Sequence, residues 1–204
     1  MAFYSWNETA GKMEYKIKKF DKTLLNDFLH YFDNIAFVDN KNWSNCYCTF
    51  FYWNEEMEKL EQEGKVEGGR NYAIKLIEEG KMQGYMAYQD NDIVGWCNTN
   101  DKLNFPILVD CKELWDIVEK ETKIKSIVCF LIAPEMRGKG IATKLLEQIC
   151  KDAKLAGYEY IEAYPVKNEN GNDMNYHGHY SMYEKNGFSF VKEFKYGCMV
   201  RKKL

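Results

Sequence analysis

The chain has 204 residues, 46% of them apolar, with a formal net charge of −3 and a sequence pI of about 5.8. That length suits a single domain with a real core, and the acidic balance excludes a broad electrostatic footprint for nucleic acid. No apolar run reaches the length of a membrane span, and the first residues lack the charged and apolar regions of a secretory signal, so no membrane association and a cytoplasmic location are expected.

Residues 1–12 show no periodicity and read as a flexible leader, with the domain over residues 13–204. Met13 to Phe20 alternates and predicts a first strand. Asp21 or Thr23 can cap a helix from Leu24 to Phe37, whose stripe is Leu25, Phe28, Leu29, Phe32, Ile35 and Ala36. Trp43 to Trp53 packs aromatics and two cysteines together. A polar helix over Glu55 to Glu63 is broken at Gly64 to Gly69, and a further helix follows over Arg70 to Gly80. Gly84 to Tyr88 and Ile93 to Asn98, joined through Asp90 to Asp92, predict a hairpin. Phe105 to Val109 reads as loop or short strand, and Asp110 to Lys120 as a short helix.

Ile127 to Ile132 is an apolar strand ended by Pro134, followed by Arg137-Gly-Lys-Gly-Ile-Ala142. Ile141, Leu145, Ile149 and Ala153 then recur at helical spacing, up to a C-terminal Gly157. The two glycines allow a sharp turn and a close approach to the main chain. The free N–H groups of the helix's first turn therefore form an anion site suited to phosphate. Tyr158 to Tyr164 predicts the next strand; strand, helix and strand of one sheet imply a parallel pair with a right-handed crossover. Lys167 to Asn175 reads as a loop and Gly178 to Asn186 as a short helix. Phe188 to Phe194 with Tyr196 to Arg201 reads as a closing hairpin.

The glycine turn fits neither the dinucleotide fingerprint, because Thr143 stands where its third glycine belongs, nor the P-loop. It resembles the R/Q-x-x-G-x-G/A signature of the GCN5-related N-acetyltransferases (GNAT) through Arg137, Gly140 and Ala142. Tyr183-Glu-Lys-Asn-Gly-Phe188 resembles that family's Tyr-x-x-x-Gly-Phe element. The resemblance covers residues 82–200 well and the first 80 residues only in outline.

The resemblance implies an α/β (α+β) fold: a mixed, mostly antiparallel twisted sheet with a splayed parallel strand pair and helices on both faces. It implies acetyl-CoA as co-substrate and direct attack by a primary amine. The pyrophosphate would rest on Arg137, Gly138, Lys139, Gly140, Ile141 and Ala142, with an oxyanion-stabilising N–H near Leu131 or Ile132. Tyr183 matches the family's proton donor to the departing thiolate; a phenol near ~10 keeps its proton at neutral pH and can pass it to a thiolate near ~8.5. Glu162 is the first candidate for the base, with Glu135, Asp101 and His179 as others. Tyr176 stands where family members often carry an Asn that binds the pantetheine arm.

The variable region, about residues 39–80, should cover the acceptor. Trp43, Tyr47, Trp53, Trp96 and His179 are its candidate lining, for a small-molecule or peptide amine, and the acidic balance favours a cationic one. A monomer or homodimer is expected.

Three other readings rank lower. An acyl-CoA-binding module without turnover would have no use for Tyr183. An acylated cysteine, Cys97 or Cys129, lacks a visible activating partner. A zinc site from Cys46, Cys48, His177 and His179 has the wrong spacings, so no metal is expected. The seven cysteines, Cys46, Cys48, Cys97, Cys111, Cys129, Cys150 and Cys198, read as small apolar residues of a reducing compartment.

Overall fold

A computed structural model of the chain describes residues 14–64, 68–114, 122–166, 173–195 and 197–204. Its seven strands are β1 (Lys16–Lys19), β2 (Gly84–Gln89), β3 (Asp92–Asp101), β4 (Ile124–Ile132), β5 (Tyr160–Ala163), β6 (Ser189–Phe194) and β7 (Gly197–Lys203). They form one mixed sheet in the order β1-β2-β3-β4-β5-β7-β6. All neighbours are antiparallel except β4 and β5, which run parallel. The long helix between them, α5 (Ile141–Leu155), is the crossover that a parallel pair requires.

β4 and β5 pair only over Ile124–Ile127 and Tyr160–Ala163. Beyond Ile127, β4 continues against β3 alone, after a register shift that leaves Val128 without a partner. The parallel pair thus parts in the middle of the sheet and opens one edge of β4.

Alternation along β3 separates the two faces. A Cβ added at Gly95 would meet Ile132 and Ile141 of α5. The next residue, Trp96, is fully buried on the opposite face against Phe20, Phe28 and Phe32. Phe28 and Phe32 belong to α1 (Leu25–Asn34), so α1 and α5 cover opposite faces. α1 stops three residues short of the expected Phe37, because the N–H groups of Ile35 and Ala36 both turn to Tyr31 O at 2.9 Å.

The front of the domain carries α2 (Glu55–Gln62) and α3 (Gly68–Glu78), close to the expected spans. Phe105 to Val109 is a correction. Pro106–Asp110 is a short helix, α4, with Pro106 in its first turn, where the missing N–H and fixed φ suit helix initiation. The helix expected over Asp110 to Lys120 falls largely outside the described residues, as do the leader, Met13 and most of the loop after Pro165. The short helix α6 (Tyr180–Lys185) leads into the closing β6–β7 hairpin.

Candidate functional site

A cavity of about 740 Å³ opens where β4 and β5 part. One wall is β4 at Phe130, Leu131 and Ile132, and its floor is the turn and first residues of α5 at Arg137, Gly138, Gly140, Ile141 and Ala142. Gly138 and Gly140 take φ of 75° and 82°, left-handed values that a side chain strains. Nothing lies within 4 Å of a Cβ built on either one. The helix ladder begins only at Lys144 N–H, which donates to Gly140 O at 3.1 Å. The amides before it, from Gly138 to Thr143, make no backbone hydrogen bond among the described residues, and all of these residues but Lys139 line the cavity, so they form a row of donors at the positive end of a 15-residue helix.

The open edge of β4 is marked by two acceptors. Val128 O accepts from His177 Nδ1 at 2.8 Å, and Ile132 O accepts from Arg137 Nε at 3.2 Å. Ala133 N–H turns the other way, to Val94 O at 3.0 Å. With a period of two, the peptide groups of 128, 130 and 132 face the cleft and those of 131 and 133 face β3. Leu131 O also accepts from Tyr31 Oη of α1 at 2.9 Å.

Arg137 is engaged twice. Besides Ile132 O, its guanidinium forms a bidentate pair with Asp39, Nη2 to Oδ1 at 3.2 Å and Nη1 to Oδ2. The pair bridges the cleft, and the guanidinium holds the Asp39 carboxyl below its ordinary range. Lys139 is exposed, its Nζ donates to Met136 Sδ, and it is not among the described residues that line the cavity.

Tyr183 lies fully buried in α6, beneath the cleft wall at Gly178. A Cβ at Gly178, where φ is 82°, would come within 3.0 Å of the Tyr183 hydroxyl. That hydroxyl donates to His177 O at 2.7 Å. Burial raises its pKa well above that of a free phenol, so it holds its proton. His177 is therefore a clasp between α6 and the point where β4 leaves β5. Burial pushes its imidazole down to about 4, so it is neutral at Nε2 while Nδ1–H donates to Val128 O. From the sequence it reads as part of a weak metal pattern or as a lining imidazole of the acceptor pocket; it does not line the cavity and instead ties α6 to β4.

The aromatic candidates separate. Trp43 lines the cavity, edge-on to Tyr176 at 4.9 Å. His179 lines it as well. Trp96 does not; it is core under α1, and its assignment to the acceptor wall is corrected. Tyr47 is also buried, stacked on Phe32 at 5.4 Å with its hydroxyl donating to Asp33. Trp53 packs edge-on to Tyr72 of α3, away from the cavity. A period-two pattern could have flagged Trp96, since it alternates with Gly95 toward the α1 face, but nothing local marks Tyr47 or Trp53 as packing residues.

Glu162 is corrected too. Its carboxylate is fully buried and receives Lys102 Nζ at 2.8 Å, Arg201 Nε at 2.8 Å and Nη2 at 2.5 Å, and Tyr164 Oη at 3.1 Å. These contacts make it the centre of an internal ion-pair cluster, and it does not line the cavity. Asp101 caps the turn after β3 by accepting from Leu103 N–H. Cys97 is buried, and burial holds its thiol well above the ordinary value, which opposes a nucleophilic role. Among the described residues no group of three or more His, Cys, Asp or Glu side chains is placed to hold a metal ion, and no helix is long and apolar enough to cross a membrane.

A splayed parallel pair whose opening meets a free row of amides at a helix N-terminus defines an acyl-CoA-dependent acyltransferase site. The model of the Acetyltransferase (GNAT) family matches residues 39–188, most of the chain. The chain belongs to that family and is an acetyl-CoA-dependent acetyltransferase acting on amines. Among solved structures it is similar to PaiA N-acetyltransferase from Thermoplasma acidophilum in complex with coenzyme A, at 18% identity and TM-score 0.53, over 94% of this chain and 100% of that one. It is similar to a GNAT acetyltransferase from Listeria monocytogenes, at 14% identity and TM-score 0.59, over 96% and 98%. It is also similar to one from Streptococcus pneumoniae, at 11% and 0.53, over 94% and 99%. Identities this low carry the fold alone. Curated protein sequences give no match.

Proposed function

We propose that the chain transfers acetyl directly from acetyl-CoA to a primary amine within this cleft. The observation that carries the reading is the unpartnered amide row from Gly138 to Thr143, opening onto a cavity bounded by the free edge of β4. The fit is favourable: a pyrophosphate needs main-chain donors at a positive helix end, and nothing fills the space over Gly138 or Gly140. Bound there, acetyl-CoA supplies a thioester whose carbon is open to an amine.

The chain's own residues then divide the work. Gly138 to Ala142 hold the diphosphate. The amides of Phe130 and Ile132 face the arm, and Ile132 N–H is the better placed of the two residues named for oxyanion stabilisation, since the Leu131 peptide faces β3. Tyr183 donates its proton to the departing thiolate. Tyr183 does not itself line the cavity, so donation requires its O–H to leave His177 O, the wall at Gly178 to let it reach the thiolate, and the bound thiolate to offset the raised pKa that burial gives the phenol. Of the candidate bases, His179 lines the cleft and Glu162 does not, and His179 takes the acceptor's proton. The domain spans residues 13–204, with residues 39–80 over the acceptor side.

Release of CoA thiol from acetyl-CoA, measured against a panel of amines, tests this reading. Amine-dependent release is expected. CoA bound in the cleft with no release for any amine would instead support a binding module without turnover.

A further inference from the structure

A second cavity, about 240 Å³, adjoins the first on the α1 side of the sheet. The two share Phe37, Trp43, Leu131 and Tyr176. The shared residues lie beside the stretch of β4 where the thioester is expected, so the smaller cavity is the natural continuation of the donor slot past the reacting carbon.

Its chemistry is uniform. Beyond the shared residues it is lined by Phe50 and Phe51 and by three thiols, those of Cys46, Cys48 and Cys129. Cys48 Sγ and Cys129 Sγ lie 3.2 Å apart and form one wall. Cys129 points there because it sits two residues before Leu131 on β4 and opposite Asn98, on the same face as Trp96. Among the described residues no lining side chain carries a charge. The carboxylate of the adjoining cleft, Asp39, is already paired with Arg137.

We infer that the acceptor is an arylalkyl primary amine, its ring held in this pocket and its amino group at the junction with the donor cleft. The inference rests on the acetyltransferase reading above and names its substrate class. A cavity of about 150 Å³ holds a benzene ring, so the pocket accommodates a substituted phenyl or an indole. Aromatic rings and thiol sulfurs are favourable neighbours for such a ring. A polyamine or aminoglycoside would carry extra ammonium groups into a wall without a carboxylate. A peptide would bring several backbone N–H and C=O groups into a lining whose polar side-chain groups are the Tyr176 hydroxyl, the Trp43 indole N–H and three weakly bonding thiols. An arylalkylamine has one polar group, and that group is the nucleophile. The local pocket thus suits an acceptor with a single ammonium and an apolar body, and opposes the polycationic ones.

The test compares 3-phenylpropylamine, propylamine, spermidine and a short unblocked peptide as acceptors for the full chain at saturating acetyl-CoA, read as CoA thiol release. The phenyl compound should exceed propylamine in kcat/KM by roughly 30- to 100-fold, the effect of burying one ring, and should exceed spermidine and the peptide. Cys46→Phe, which fills the pocket, should bring the phenyl-to-propyl ratio close to one while CoA titration shows the donor cleft intact. If that variant fails to bind CoA, Phe51→Ala replaces it, with a several-fold fall in the ratio expected. A wild-type ratio near one, a lead for spermidine or the peptide, or a ratio unmoved in the variants would overturn the inference and leave the acetyltransferase reading standing. CoA binding without release for every amine would overturn that reading itself.

Discussion

The donor cleft and the pocket beside it are built in opposite ways. The cleft floor is main chain: amides from Gly138 to Thr143 and the open edge of β4. Its residues are adjacent in sequence, and the side chains matter mainly through their absence at the two glycines. The neighbouring pocket is all side chain, drawn from Phe37 just after α1, the segment 43–51, β4 and Tyr176. A main-chain site leaves a contiguous motif in the sequence. A side-chain site assembled from four segments leaves only a scatter of aromatics and cysteines, many of which turn out to be core.

That contrast can be broken at several points. The largest effect is expected from Tyr183→Phe, which should slow turnover by roughly 10²–10⁴ while CoA affinity persists. Unchanged turnover would make Tyr183 a packing residue with a positional hydrogen bond to His177. Next is Glu162→Gln. It leaves Lys102 and Arg201 facing a neutral, buried amide, and the loss of a buried ionic partner costs about 3–5 kcal/mol of stability. Denaturant unfolding should show this loss, and the folded fraction should still turn over. A stable but inactive Glu162→Gln protein would restore the carboxylate to the mechanism.

The His177 clasp gives a pH signature. Its folded pKa, about 4, lies below the unfolded value near ~6.5. Between these values the unfolded chain binds the extra proton. The contribution of His177 is therefore complete above pH ~6.5 and is lost as pH falls toward 4, by about 3 kcal/mol. Unfolding free energies measured across that window should show the slope, and His177→Gln should flatten it. Gly140→Ala should weaken CoA binding about tenfold, since a residue with a Cβ is strained at φ of 82° by roughly 1–2 kcal/mol; isothermal titration would show it. The smallest effect is expected from Asp39→Asn. The Asp39–Arg137 pair is half-exposed and is worth less than ~1 kcal/mol in stability, so any larger change in CoA affinity would mean that the pair shapes the cleft mouth.

Sequence alone determined the glycine turn, its helix, the parallel strand on each side of it and the tyrosine of α6. Each is fixed by local rules: φ at Gly138 and Gly140, apolar spacing along α5, alternation along β4 and β5. The family and the donor follow from these, because a main-chain phosphate site depends on little outside its own turn. Tertiary structure decided the rest. It placed Trp96 and Tyr47 in the core under α1, since an aromatic is buried by whichever surface reaches it and its own neighbours in sequence do not say which. It enclosed Glu162 between Lys102 and Arg201, partners sixty and thirty-nine residues away that no spacing rule connects. And it brought Cys46, Cys48 and Cys129 to one wall beside Tyr176, where the side chains we propose as selecting the acceptor meet only after the chain has folded.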